Sequence, residues 1–380
     1  VAGRRGRPWA AALAAAVLVL VAGCGSGAAD PPAKAGRSAS AQASARPKPP
    51  ARPAAKPLPA GQRALLAKEA RAMYGAASGG AVPAFDRRRT AIVGMGDSEM
   101  SGEGIGDYTP STDRPSDECH RSPASLIDRT GARVDTAVNL ACSGAASADV
   151  RAGGDAQYAD QPAQADQLAV QARLTRVTAV AVLVGANDLD YGEVMADCVT
   201  RRLRLGRPCA KTYGPGWGDR VSGAMTRVRG AVGSIREVMR DAGYREADYR
   251  LVLMSYPSPL GPGTGGKGLG CLAYPSDGRW ARDTAVPALA RGLRAVAGET
   301  GAGFLDLKGL FDGHEACSPA PWVRGLQLDL GAGKNAVAGS FHPNAAGHGV
   351  MGQCLGAFLH GGRATAVCTA NGVSVRLGPA

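Results

Sequence analysis

From about residue 88 the chain alternates two hydrophobic periods, and that alternation limits its possible folds more than any other feature. "TAIVGMG", "VDTAVNLA", "VTAVAVLVG", "YRLVLMSYP" and "GAGFLDL" are short, nearly continuous runs rich in Val, Leu and Ile. Runs of that kind suit strands covered on both faces. Helical spacing lies between and after them, over 122–130, 159–175, 217–243, 279–300 and 345–360. Strands alternating with helices build βαβ units, whose parallel strands are bridged by helices packed on the sheet. The expectation is an α/β fold, a three-layer α/β/α sandwich around a central five-stranded parallel sheet. Such sheets bind ligands outside the carboxyl ends of their strands. No internal repeat is visible.

The first 60 residues follow different rules. The chain of 380 residues carries a formal net charge of +12, which raises the question of nucleic acid. Residues 1–60 hold nine Lys and Arg against Asp30 alone, so only +4 remains for the other 320 residues. The part that folds is nearly balanced, and a nucleic-acid partner is not expected. Arg4, Arg5 and Arg7 precede "WAAALAAAVLVLVAG", an apolar stretch too short for a comfortable membrane span. It ends in "LVAGC", residues 20–24, which resembles the lipobox of bacterial lipoprotein signal peptides. Residues 1–23 then read as the signal and Cys24 as the lipidated first residue of the mature chain, tied to the outer face of a membrane. An ordinary secretory signal cut nearby is the other reading. Residues 24–60 are rich in Ala, Pro, Ser and Lys without periodicity and read as a disordered, extended tether. "GQRALLAKEARAMYG" has helical spacing, so 61–87 is expected to hold a lead-in helix and 88–380 the folded domain.

Cysteine usage agrees with export. Setting Cys24 aside leaves eight of nine cysteines, none in a CxxC pair, so neither a zinc site nor a thioredoxin-like motif is expected. Eight cysteines in an exported chain read as four disulfides. There are 105 possible connectivities. The expected one joins neighbours: Cys119–Cys142, Cys198–Cys209, Cys271–Cys317 and Cys354–Cys368.

Three of the expected strands run into polar residues of catalytic type: Gly96-Asp97-Ser98, "NLACSGA" around Gly144, and "VGAND" with Gly185, Asn187 and Asp188. Near the C-terminus "SFHPNAAGH" puts His342 just before a helix. Any of these alone is weak. Four in this order, each at a strand end or helix start, resemble the SGNH (GDSL-type) hydrolases over residues 88–360. "SGEG", "CHRSPAS" and "GHEAC" look like the actinobacterial secreted lipase and esterase branch of that family. The resemblance implies a flavodoxin-like sheet, Ser98 as nucleophile and His342 as its base. It also implies an oxyanion hole made of the Ser98 and Gly144 N–H groups and the Asn187 amide. The chemistry requires such groups: a serine hydroxyl is a poor nucleophile until a base takes its proton, and the resulting oxyanion needs donors already in place. Gly144 lacks a side chain in keeping with close approach of a carbonyl oxygen.

One position departs from the family pattern. The Asp that usually lies three residues before the histidine is Gly339 here. The expectation is a Ser–His dyad with the Gly339 backbone carbonyl orienting the ring, and Asp329 as the alternative orienter. Asp97 and Asp188 are expected to fix turns through local hydrogen bonds, and Ser101 and Ser143 to be turn residues. His120, His314 and His360 read as structural, and their scatter gives no metal spacing; His348 is six residues beyond His342, not four. "GPGTGGKG", 261–268, matches GxxxxGK but continues with Gly268, where a P-loop requires Ser or Thr; a loop at the mouth of the site is expected instead. The function implied is an extracytoplasmic serine esterase or lipase acting on small-molecule or lipid esters, without metal or cofactor, as a monomer. An acyltransferase, or a binding lipoprotein that keeps the fold without turnover, are the alternatives.

Overall fold

In the computed structural model, which describes residues 51–266, 271–327 and 337–380, the five apolar runs all become strands. They are β1 (Thr90–Gly96), β2 (Thr136–Asn139), β3 (Arg176–Leu183), β4 (Arg250–Met254) and β5 (Gly303–Asp306). All pair in parallel, β1 between β2 and β3, then β4 and β5 outward. The expectation of five strands was too low. β6 (Thr365–Asn371) adds to β5 in parallel and β7 (Ser374–Gly378) returns antiparallel to it, giving a seven-stranded sheet in the order β2-β1-β3-β4-β5-β6-β7. The last two strands escape the apolar-run criterion because much of their surface is open to solvent. Their signal is the Asn371-Gly372 pair, a hairpin turn marker, and Gly372 takes φ 57°.

The helices are α1 (Ala60–Tyr74), α2 (Ser98–Ser101), α3 (Ser147–Val150), α4 (Gln164–Leu174), α5 (Tyr191–Leu203), α6 (Cys209–Tyr213), α7 (Trp217–Asp241), α8 (Pro275–Trp280), α9 (Val286–Thr300) and α10 (Ala345–His360). α1, α4, α7 and α9 pack in succession, with α4 and α9 on the sheet; α10 packs on β6 and β7. The sheet between these helices makes a three-layer sandwich. Residues 122–130 form consecutive turns, not the expected helix. Leu126 and Ile127 supply the apolar spacing by being fully buried, but Pro123 and the hydroxyl bonds of Ser122 and Thr130 hold the backbone in turns. α5 and α6 were not expected. α8 passes into α9 through a π-helical turn at Ala281–Ala285, where Pro287 has no N–H to offer the Asp283 carbonyl.

Residues 51–59, expected as part of a disordered tether, are packed against the domain. By Ala51 the chain lies on the domain: Arg52 Nε donates to Asp248 Oδ2 at 3.1 Å, its guanidinium sits 3.4 Å over the Phe85 ring, and Lys56 N–H donates to the Asp241 carbonyl at 2.8 Å. Leu58 is buried with Ala169 and Val170. Composition misses this because an extended segment anchors through a few polar contacts and one apolar side chain. Residues 24–50, with Cys24, lie outside the described residues. Disulfides join Cys119–Cys142, Cys198–Cys209, Cys271–Cys317 and Cys354–Cys368.

Candidate active site

β1 delivers Asp97 and Ser98 to the carboxyl edge of the sheet. Asp97 caps the short α2, its Oδ1 accepting from Glu99 N–H at 3.2 Å. Its Oδ2 accepts a hydrogen bond from Tyr256 Oη. Burial pushes the Asp97 pKa up to about 7, although both hydrogen bonds oppose that rise. Asp97 therefore holds the turn, as expected, and does not reach the nucleophile's partner. Ser98 begins α2 and is nearly buried.

His342 reaches the same point from the loop before α10. Its Nε2 lies 2.8 Å from Ser98 Oγ. Its Nδ1 lies 2.9 Å from the Ser340 carbonyl. This corrects the expected orienter: the Gly339 carbonyl instead accepts from the backbone N–H of His342, at 3.4 Å. Phe341 explains the change, since its φ of 59° turns the chain sharply enough to bring the carbonyl two residues back onto the ring. Asp329 lies outside the described residues. The loop is clamped on both sides: Arg324 N–H donates to the His342 carbonyl and Phe341 N–H to the Arg324 carbonyl, each at 2.9 Å. Asn344 caps α10, accepting from Ala346 N–H and Gly347 N–H. Burial pushes the His342 pKa down, while the Glu103 charge and backbone carbonyls push it back. The imidazole is thus neutral and able to accept a proton near neutral pH.

The other two blocks line the same cleft. Gly144 follows the Cys119–Cys142 bridge with φ 81°, and a Cβ there would meet nothing closer than 4.0 Å. That left-handed backbone conformation by itself favours glycine. Asn187 starts the turn after β3 and its Nδ2 donates to the Ala145 carbonyl at 3.0 Å, bringing the amide beside the Gly144 loop. Asp188 ties these loops together. Its Oδ2 accepts from Ser147 N–H at 3.0 Å and Ser147 Oγ at 2.9 Å, and its Oδ1 from Arg227 at 2.9 Å.

Sequence reasoning missed the most elaborate part of the site. Glu103, in "SGEG", is fully buried. Its Oε2 meets His120 Nδ1 at 2.6 Å and Ser143 Oγ at 2.7 Å, and its Oε1 accepts from Tyr108 Oη at 2.7 Å. Its N–H donates to the Ser98 carbonyl at 3.0 Å, and its own carbonyl accepts from His348 Nε2 at 3.2 Å. Burial alone would raise the Glu103 pKa, but the His120 hydrogen bond and nearby histidine charge bring it down to about 2. Glu103 pushes His120 up in return, against that ring's own burial. One residue therefore braces several segments: its carboxylate holds Tyr108, His120 and the Gly144 loop, and its backbone holds the nucleophile turn and α10. The signal was present, since "SGEG" and "CHRS" bring an acid and a histidine near the strand ends, but nothing local pairs them. Tyr191 was missed with its helix; its Oη donates to the Phe341 carbonyl at 3.1 Å.

Two spaces meet at Ser98 and His342. One is a cavity of about 90 Å³ walled by Leu189, Val194, Trp217, Trp280, Val286 and Leu289. The other is a cleft of about 420 Å³ that includes Gly144, Met195, Val199, Leu326 and Val337. Residues 261–266 of the glycine-rich loop form turns, and 267–270 lie outside the described residues.

A nucleophile–base pair at the carboxyl edge of a doubly covered parallel sheet defines a serine hydrolase of the α/β/α type. Residues 95–350 match the GDSL-like Lipase/Acylhydrolase family, and the chain belongs to that family of ester hydrolases. It is 28% identical over 298 residues to a lipase of Streptomyces rimosus, covering 75% of this chain and 91% of the relative. It is also 28% identical to Lipase 1 of Streptomyces coelicolor, over 67% of this chain and 81% of that protein. Among solved structures, the extracellular lipase of Streptomyces rimosus is similar with a TM-score of 0.48 at 24% identity, over 71% of this chain and 98% of that one.

Proposed function

We propose that this protein is an exported serine esterase or lipase that cleaves carboxylic esters through an acyl-enzyme on Ser98. The observation that carries the reading is the 2.8 Å contact from His342 Nε2 to Ser98 Oγ. As Oγ bonds to the ester carbonyl carbon, Nε2 takes the hydroxyl proton and the carbonyl electron pair moves onto oxygen. The Ser98 and Gly144 N–H groups and Asn187 Nδ2 receive that oxyanion. When the tetrahedral centre collapses, the alcohol leaves with the proton held by His342. Water then attacks the acyl-enzyme with His342 as base, the acid departs and Ser98 is restored. The ring's other nitrogen rests on the Ser340 carbonyl, so Ser98 and His342 work as a dyad. The apolar cavity suits the acyl chain and the wider cleft the alcohol.

Export is supported by the apolar leader and by four disulfides, which persist in oxidising compartments. A lipid on Cys24 would hold the enzyme at the outer membrane face; incorporation of a clickable fatty acid, lost in Cys24→Ala, is the expected readout.

The central experiment uses the full chain with p-nitrophenyl esters of graded chain length. Turnover should fall at least ~10³-fold in Ser98→Ala and in His342→Ala. A fluorophosphonate should label the Ser98 peptide in a one-to-one adduct seen by mass spectrometry. Cleavage undiminished in Ser98→Ala would sink the reading.

A further inference from the structure

The cavity beside the nucleophile contains a group that the reaction above does not use. Glu99 follows Ser98 directly, is 7% exposed and lines the cavity. Among the described residues its carboxyl finds no hydrogen-bond partner, and Oε2 is completely buried. Other polar groups of this wall are engaged: Tyr256 Oη with Asp97, Tyr191 Oη with the Phe341 carbonyl, Asn187 Nδ2 with the Ala145 carbonyl and Trp217 Nε1 with the Ala285 carbonyl. Trp280, a further wall residue, also buries its indole N–H without an acceptor.

A carboxyl in such a place is costly to the fold unless something completes its hydrogen bonds. Burial, with the neighbouring Asp97 adding to it, holds the Glu99 pKa well above the usual carboxylate range. That favours the neutral acid form, which has one O–H to donate and lone pairs to accept. A cavity meant for plain hydrocarbon would be better served by Leu at this position. Glu99 and Ser98 line the same cavity, so a group that meets Glu99 belongs to the part of the substrate that enters that cavity.

We propose that Glu99 is a specificity subsite that hydrogen-bonds an oxygen substituent on the acyl chain. The preferred substrates are then esters of short hydroxy or keto acids, not of plain fatty acids. The inference rests on the esterase reading of Ser98. It concerns the acyl side only, since the apolar cavity is where the chain is expected to lie.

The test compares kcat/KM of the full-length enzyme for matched p-nitrophenyl esters: hexanoate against 3-hydroxyhexanoate, and pentanoate against levulinate. The wild type should favour the oxygenated member by ~10–100-fold. Glu99→Leu should lose or reverse that ratio, while Glu99→Gln, which keeps a donor and an acceptor, should retain it. Fluorophosphonate labelling of Ser98 in each variant reports an intact site, so that loss of fold is not read as loss of selectivity. Plain esters cleaved with no oxygenated preference, or a ratio unchanged in Glu99→Leu, overturns the inference and leaves the esterase reading standing. A preference that follows the alcohol and not the acyl chain also overturns it. No cleavage of either ester by the wild type overturns both.

Discussion

Glu103 is the residue on which the site's electrostatics turn. It is the negative charge that most directly raises the His342 pKa against the lowering effect of burial. Glu103→Gln should therefore shift the acid limb of kcat/KM to lower pH. The wild-type limb should itself lie below the ordinary histidine value of 6.5. A pH–rate profile of both forms checks the pair, and a limb that stays in place removes Glu103 from the mechanism. The same carboxylate also affects stability. Its folded pKa of about 2 is below the ordinary 4.5, so its contribution is full above pH 4.5 and is lost as pH falls through 2. Melting temperature should fall across that window less steeply in Glu103→Gln than in the wild type. Asn187→Ala should cost ~10²–10³-fold in kcat, the usual loss for one oxyanion donor. Single-turnover kinetics would assign that loss to acylation. That Ser98, Gly144, Asn187 and His342 would line one cleft was legible because each sits in a short motif. Glu103 was not, because its partners His120, Ser143 and His348 are far from it in sequence.

The elements explain how the loop that carries His342 is held. Its loop is gripped from α5 by Tyr191, from the 322–324 segment by backbone bonds, and from the 102–106 loop by close packing. Gly104 is the tightest contact: with φ 88°, a Cβ there would sit 2.5 Å from the Pro343 carbonyl and 2.9 Å from His342 Cβ. Gly104→Ala should displace the histidine and cut kcat by more than tenfold (~1.4 kcal/mol or more of transition-state stabilisation), with the overall circular dichroism preserved. Asn344→Ala removes the cap of α10 and should cost ~1 kcal/mol of stability, measured by urea denaturation. The first five strands and the helices that pack between them were readable because periodicity fixes them. The 122–130 turns, α5 and α6 were not, since short apolar runs carry the same composition whether they coil or turn. The Asn371-Gly372 hairpin was readable and overlooked.

Across the whole molecule the disulfides fasten loops to the sandwich that the sheet alone would leave loose. Cys271–Cys317 closes the largest interval, 46 residues, and Cys198–Cys209 the smallest, 11. Chain entropy assigns them about 4 and about 3 kcal/mol respectively. Replacing both cysteines of a bridge by Ser should therefore destabilise more at 271/317 than at 198/209, as read from urea midpoints; the reverse order would show that the native loops carry strain or residual structure instead. The sequence by itself determined the parallel α/β sandwich, because hydrophobic periodicity is a property of neighbouring residues. It likewise determined which residue types stand at the strand ends. Only the tertiary structure decided that the Ser340 carbonyl orients His342, because that depends on one left-handed residue. It alone decided that Glu103 joins three loops, because burial strengthens a charge only where distant segments exclude water from it. And it alone left the Glu99 carboxyl without a partner among the described residues, in the cavity that Ser98 also lines, which no pattern along the chain could register.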